Sequence, residues 1–219
     1  MTLFSQVDQY IEELLAVEDQ DLKRARLAIA QAQWPDQSIS PVQGKLLQCF
    51  IHSCNAKRVL ELGTFGAYST LWMAKAMPHD GKLITIECSE EHAAVARNSI
   101  AQSDQCNNIE LQVGVALELL TAMVESNTEP FDMIFIDADK PPYVAYFKLA
   151  LKLSRKGSII ICDNVVRNGK VLDKDSSDEK VRGVQRLNTY LKTCAEVTCT
   201  ILQTVGSKEY DGMVFAVVK

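Results

Sequence analysis

The chain has 219 residues, of which 47% are hydrophobic and 23% are charged, and its formal net charge is −5. This length suits a single domain that buries roughly three-quarters of its unfolded surface. Because the 28 acidic residues outnumber the 23 basic ones, the composition gives no electrostatic case for binding to nucleic acid or to a membrane.

The first 53 residues carry helical patterns. Apolar residues recur with a helical period near the N-terminus, and a second helix is expected over about 19–33, before Trp34-Pro35. A third helix begins at Ser40-Pro41, a capping residue followed by proline at the first helical position. We predict an N-terminal helical extension, residues 1–53, that packs on the main sheet and could also cover a ligand crevice or form a dimer face.

Strands and helices alternate from Arg58 onward. Strands are predicted at about 58–62, 83–87, 109–113, 131–137 and 157–162, with helices between them. This alternation predicts a parallel sheet covered by helices on both faces. Beyond Asp178 a helix is followed by two apolar runs, Val197–Val205 and Met213–Val218, which can pair as an antiparallel hairpin. We therefore predict an α/β fold in one domain, 1–219, with its core at 58–219.

The stretch RVLELGTFGAYST, residues 58–70, is typical of a strand, a tight glycine turn at Gly63 and a helix. Such a turn directs backbone N–H groups and a helix N-terminus at a ligand. Glu61 adds a carboxylate to the same crevice, and the G-x-G-x-x-G pattern of NAD sites is missing. A carboxylate there favours a cationic ligand, and S-adenosylmethionine, with its sulfonium and amino group, is the better fit.

The second strand ends in ITIE, which places Glu87 24 residues after Gly63 (87 − 63). A carboxylate at this position can accept hydrogen bonds from both hydroxyls of a ribose. The pattern indicates a nucleoside ligand, but it does not distinguish NAD from S-adenosylmethionine. Alternatively, Glu87 only caps the next helix, whose first turn includes Ser89 and Glu90.

Two neighbouring strands end in polar residues, FIDADK and CDN. They deliver Asp137, Asp139 and Lys140 from one strand and Asp163 and Asn164 from the other. Oxygen ligands without nearby histidine or cysteine suit Mg²⁺, Mn²⁺ or Ca²⁺ rather than Zn²⁺. The alternative is a turn at Asp163-Asn164 and a helix cap at Asp137.

The chain resembles the class I S-adenosylmethionine-dependent, cation-dependent O-methyltransferases of the catechol and caffeoyl-CoA type. The matching segments follow the family order: ISPVQGKLL, VLELGTFGAYSTLWMA, ITIE, GVALELL, FIDADK and DNVVRNGKV. FIDADK followed by DN is the specific part of this match. The resemblance implies a Rossmann-like, doubly wound sheet of seven strands, mostly parallel with the last strand antiparallel, usually in a homodimer.

The resemblance also implies a role for each matching residue. Cofactor contacts would come from Ile39, Glu61, Gly63 and Ser69 at the methionine end, Glu87 at the ribose, Gly114 and Ala116 at the adenine, and Asp137 and Asp139 beside them. Asp137, Asp163 and Asn164 would ligate the divalent cation, and Lys140 would be the general base.

Two segments depart from the family pattern. The family writes G-T-F-x-G-Y-S, whereas this chain has Gly66-Ala67-Tyr68, with the glycine one place early. Alanine is tolerable there at negative φ and strained at positive φ, so cofactor affinity depends on that angle. Near the C-terminus, VGSKEYDGMVF is longer than the usual V-G-D-G turn, and the substrate therefore need not match that of any relative.

We expect an enzyme that methylates one hydroxyl of a catechol-like small molecule, and a CoA thioester is one candidate substrate. Basic residues after Asn164 could meet such an anionic substrate or form only a solvated loop: Arg167, Lys170, Lys174, Lys180 and Arg182. The alternatives are a tRNA hydroxyuridine methyltransferase on the same scaffold and a nucleotide-binding oxidoreductase or non-catalytic binder.

The seven cysteines are an odd number and contain no C-x-x-C pair. Several lie in apolar runs, which favours reduced core residues in a cytoplasmic protein. The sequence has no stretch of transmembrane length, and its N-terminal region is acidic, unlike a signal peptide. We expect a cytoplasmic protein without a membrane segment.

Overall fold

The computed structural model describes residues 2–219. Within that range the elements are α1 (Leu3–Leu15), α2 (Gln20–Gln31), α3 (Pro41–Ser53), β1 (Arg58–Leu62), α4 (Tyr68–Ala74), β2 (Lys82–Glu87), α5 (Glu90–Ala101), β3 (Ile109–Val113), α6 (Ala116–Glu125), β4 (Phe131–Ile136), α7 (Tyr143–Lys152), β5 (Ser154–Cys162), α8 (Glu179–Leu191), β6 (Val197–Thr204) and β7 (Asp211–Val218).

The strands form one sheet in the order β3-β2-β1-β4-β5-β7-β6. Strands β1 to β5 pair in parallel, and β7 lies antiparallel between β5 and β6. The predicted doubly wound, seven-stranded fold with an antiparallel last strand is confirmed. The C-terminal hairpin pairs Thr204 with Asp211, so its loop, residues 205–210, is shorter than the sequence suggested.

Burial on both faces explains why the central strands are almost continuously apolar. Every residue of β4 is buried, as are four of the five in β1. Leu120, Phe147 and Leu187 of α6, α7 and α8 belong to the hydrophobic cluster on one face, and Leu47 and Trp72 of α3 and α4 to that on the other. Helices on both faces leave the carboxyl ends of the strands as the place where polar side chains can gather.

The N-terminal helices join the core through α2, which packs on α4 and α5, and through α3, which packs on α4. A capping box starts α3, where the Ser40 side chain accepts from the Gln43 N–H and the Gln43 side chain accepts from the Ser40 N–H. The helical extension is therefore present as predicted, while Met1 lies outside the described residues.

The cysteine prediction is wrong in part. All seven are free thiols, but only Cys162 is buried, while Cys49, Cys88 and Cys106 are exposed. Short apolar runs around a cysteine do not decide which face of an element it occupies. Among residues 2–219, the structure contains no helix with the length and apolar character needed to cross a membrane.

Candidate active site

Gly63 lets two strand ends approach each other. Its φ is +93°, and a Cβ at this position would lie 2.1 Å from the carbonyl oxygen of Asp137. The Asp137 N–H also donates to the carbonyl of Leu62, at 2.9 Å. Any other residue would force the ends of β1 and β4 apart, and with them the carboxylates of Glu61 and Asp137.

The displaced glycine in this turn has a packing cause. A Cβ at Gly66 would lie 2.3 Å from the Cγ1 of Ile29 in α2, so any larger residue here would push against that side chain. Ala67 then adopts a φ of +68°, which is the strained outcome for alanine. Its methyl group is fully buried in a small cluster with Ala96 and Ile100.

Glu61 is fully buried at the end of β1. Its carboxylate accepts hydrogen bonds from the hydroxyls of Ser69, Thr70 and Thr85. Burial raises the pKa of Glu61 to about 7 in spite of these donors. A cationic group on a ligand would compensate the buried charge, so the structure brings together Glu61 and Ser69 in an arrangement that suits an ammonium group.

Glu87 closes β2 and lies beside the glycine turn. Its carboxylate accepts from the N–H of Phe65 at 2.8 Å and from the N–H of Ser89 at 2.9 Å. The N-cap of α5 is Ser89, whose Oγ accepts from the His92 N–H. Glu87 therefore supports the start of α5 without being its cap, and acceptor positions on its two oxygens remain for a ligand.

The other residues expected to contact the cofactor are Gly114, Ala116 and Ile39. The Gly114 N–H donates to the Glu87 carbonyl at 2.9 Å, and Ala116 begins α6 directly afterwards. Ile39 is buried at the entrance to α3 and lines a cavity of about 220 Å³ with Ser207 and Lys208.

The carboxyl ends of β4 and β5 bring Asp137 and Asp163 together. The two strands pair in parallel up to Ile136 and Cys162, and the Asp163 N–H donates to the Ile136 carbonyl at 3.0 Å. Asp163 is buried, and burial together with the charge of Asp137 raises the pKa of Asp163 to about 7. Asn164 follows with a φ of +57°, and its N–H donates to Asp163 Oδ1 at 2.8 Å.

These oxygens fit a hard divalent cation. Two carboxylates that repel each other gain from a positive charge between them, and the Asn164 amide oxygen can act as a third ligand. Among residues 2–219 no three His, Cys, Asp or Glu side chains gather in a way that could hold a metal ion, so a site here requires the asparagine. The alternative of a helix cap at Asp137 is not observed, because α7 begins at Tyr143 and Asp137 pairs with Lys140.

Lys140 is fixed by two partners. Its Nζ lies 2.9 Å from Asp137 Oδ1 and donates to the Tyr143 hydroxyl at 2.6 Å. That hydroxyl in turn donates to the Asp163 carbonyl at 3.0 Å. Gly183 of α8 packs against the Lys140 backbone, where a Cβ would lie 2.2 Å from the carbonyl oxygen. The contact with Tyr143 was not predicted from the sequence, although a residue three positions after Lys140 is close enough to contact its side chain.

Asp139 is exposed and accepts from the Tyr146 hydroxyl at 2.7 Å. Burial, the charge of Glu87 and, to a smaller extent, that of Asp139 raise the pKa of the Cys88 thiol. The cofactor contact expected of Asp139 stays a prediction.

The chain is similar to known O-methyltransferases over nearly its whole length. A family model described as O-methyltransferase matches residues 12–217. The catechol O-methyltransferase of Niastella koreensis is 50% identical, over 99% of this chain and 98% of the relative.

Two solved structures share the fold over nearly their full length. The O-methyltransferase from Bacillus cereus in complex with SAH has a TM-score of 0.95 at 44% identity, covering 99% of this chain and 98% of that one. The O-methyltransferase TomG from Streptomyces achromogenes in complex with SAM has a TM-score of 0.96 at 42% identity, covering both chains completely. This chain belongs to the O-methyltransferase family.

Proposed function

We propose that this S-adenosylmethionine-dependent O-methyltransferase acts on one hydroxyl of a catechol-like small molecule and uses a divalent cation. The observation that carries the proposal is the meeting of Asp137, Asp163 and Asn164 beside Lys140, at the ends of two paired strands. A relative 50% identical over nearly the whole chain is a catechol O-methyltransferase, which supports the same acceptor class here.

The acceptor hydroxyl must lose a proton. A phenol has a pKa of about 10, so little nucleophile exists at neutral pH. A divalent cation held by Asp137, Asp163 and Asn164 would stabilise the oxyanion and hold two adjacent hydroxyls. Lys140, in its neutral form, would take the proton at Nζ, and its hydrogen bond to Tyr143 keeps that nitrogen in one place.

The chain's other residues would hold the methyl donor. Glu61 and Ser69 would bind its amino group, with backbone contacts at Ile39 and Gly63, and Glu87 would accept from the ribose. Gly114 and Ala116 would border the adenine, with Asp139 nearby. Methyl transfer is an in-line displacement, so fixing oxygen, carbon and sulfur on one line contributes much of the rate.

The proposal is tested by measuring methyl transfer from S-adenosylmethionine to a simple catechol, caffeic acid and caffeoyl-CoA, with Mg²⁺ and with EDTA. We expect transfer to a catechol that disappears with EDTA. Caffeoyl-CoA tests whether the exposed basic residues between β5 and α8, such as Lys170 and Lys174, bind an anionic acceptor. Transfer to tRNA alone, or transfer unaffected by EDTA, would contradict the proposal.

We further propose that the protein is a cytoplasmic homodimer. All seven cysteines are free thiols and three of them are exposed, which suits a reducing compartment. The helix α1 exposes a row of apolar side chains, which suits an interface with a second copy.

A further inference from the structure

Three aromatic side chains pack together beside Glu87, and we name them the aromatic wall: Trp34, Phe65 and His92. The ring centroids are 4.6 Å apart for Trp34 and His92, 4.9 Å for Phe65 and His92, and 5.4 Å for Trp34 and Phe65. At these distances aromatic rings attract one another. The three residues come from the loop between α2 and α3, the glycine turn and the first turn of α5.

Two residues of the aromatic wall reach the Glu87 carboxylate, Phe65 through its backbone N–H and His92 through its ring. The Phe65 N–H donates to Oε2 at 2.8 Å, and the His92 Nδ1 lies 3.6 Å from Oε1. Trp34 spans these two neighbours, and all three rings are half-buried. Glu87 itself is only 5% exposed, and the His92 ring of the wall lies on one side of its carboxylate.

The carboxylate keeps capacity for a ligand. It accepts two backbone N–H groups, from Phe65 and Ser89, whereas an ionised carboxylate offers about four acceptor positions. A ribose diol brings two O–H donors, and hydrogen bonds to a charged group are stronger where water is excluded.

We propose that the aromatic wall forms one side of the cofactor's ribose subsite, and that Trp34 thereby brings the N-terminal extension into cofactor binding. The inference rests on the proposed function, in which Glu87 holds the ribose. The Trp34 ring gives the sugar an apolar face and keeps water away from Glu87. In the alternative arrangement the wall only anchors the loop between α2 and α3 to the core.

The test compares Trp34→Ala and Trp34→Phe in the full chain, with Gln37→Ala as a control in the same loop, where Gln37 is exposed. Binding of S-adenosylhomocysteine is measured by calorimetry. Loss of the aromatic contacts should raise Kd about tenfold in Trp34→Ala, while Trp34→Phe and Gln37→Ala stay near wild type. In turnover assays, the KM for S-adenosylmethionine should rise in Trp34→Ala and kcat should stay within about twofold.

Fluorescence gives a second readout, because Trp34 and Trp72 are the chain's two tryptophans. Trp72 is 2% exposed and packs against Gly44. We expect S-adenosylhomocysteine to change the fluorescence of the wild type and to leave that of Trp34→Phe nearly unchanged.

Equal affinity in wild type and Trp34→Ala, or a full fluorescence change in Trp34→Phe, would overturn this inference alone. A wild type that neither binds S-adenosylhomocysteine nor transfers methyl groups would overturn the proposed function, and this inference with it.

Discussion

Lys140 and Asp163 are buried polar residues to which the proposed reaction assigns roles. We predict that Lys140→Ala and Asp163→Ala each lower kcat at least about 10²-fold, the usual effect of losing a positioned acid–base or charge-stabilising group. The measurement is methyl transfer to catechol with Mg²⁺, and circular dichroism checks that each variant is folded. Lys156→Ala and Asp104→Ala, at exposed positions, serve as controls. Near wild-type turnover in either site variant would show that its assigned role is wrong.

Glu61 makes stability depend on pH. Burial raises its pKa to about 7 in the folded protein from 4.5, so the folded state retains this proton more strongly than the unfolded state does. The resulting stability is fully present below pH 4.5 and is lost as pH rises through about 7. The loss amounts to about 3 kcal/mol by proton linkage, as an order of magnitude.

We therefore predict that Glu61→Gln, which is neutral at every pH, weakens the fall in the free energy of unfolding between pH 5 and pH 8. Urea unfolding without ligand measures this, with Glu125→Gln, at an exposed position, as the control. The same variant should bind S-adenosylhomocysteine at least about tenfold more weakly, because a charge-assisted hydrogen bond is lost. Identical pH profiles in wild type and Glu61→Gln would contradict the buried-charge argument.

The glycine turn and α2 are coupled as elements. Gly66→Ala places a Cβ 2.3 Å from Ile29 Cγ1, and such overpacking costs about 1–3 kcal/mol. Ile29→Ala alone leaves a cavity and destabilises by about 2–5 kcal/mol. In the double variant the new methyl group has room, so the loss of stability should be smaller than the sum of the losses in the two single variants. A double-mutant cycle by urea unfolding measures the coupling, and strict additivity would show that Ile29 does not dictate the glycine.

The substitution Ala67→Gly tests whether the strained turn lowers the stability of the protein or its affinity for the cofactor. Relief of a left-handed alanine is worth about 1–2 kcal/mol, but Ala67→Gly also loses about 0.8 kcal/mol of buried methyl group and adds unfolded-state freedom of about 0.5–1 kcal/mol. We predict that the free energy of unfolding changes by less than about 1 kcal/mol and that affinity for S-adenosylhomocysteine is unchanged. A large gain in either, measured by urea unfolding and calorimetry, would mean that the strain is uncompensated.

Elements with a local signal were predictable, and contacts between distant segments were not. The buried run of β4 indicates its own strand. The start of β5 was predicted at 157, whereas the strand begins at Ser154, since the exposed residues 155–157 carry no apolar signal. The polar residues at the strand ends identified Asp137 and Asp163, since parallel strands end at one edge. Nothing local connects Trp34 with His92 or Gly66 with Ile29, because these pairs meet only after the chain has folded.

At the scale of the whole molecule, α1 leaves its apolar face exposed on the protomer, where a second copy could cover it. The only buried residue of this helix is Asp8, whose carboxylate accepts from the N–H and hydroxyl of Ser207. Val7, Tyr10 and Leu14 form a row on the helix and are exposed, although amphipathic helices normally bury their apolar row.

We predict that the wild type elutes as a dimer, measured by size-exclusion chromatography with light scattering, and that Val7→Glu or Leu14→Glu gives monomers. A charge buried at an apolar interface has no partner and is costly to desolvate, whereas Gln9→Glu, at an exposed polar position of the same helix, should leave the dimer intact. If Val7→Glu and Leu14→Glu elute with the wild type, α1 is not the interface.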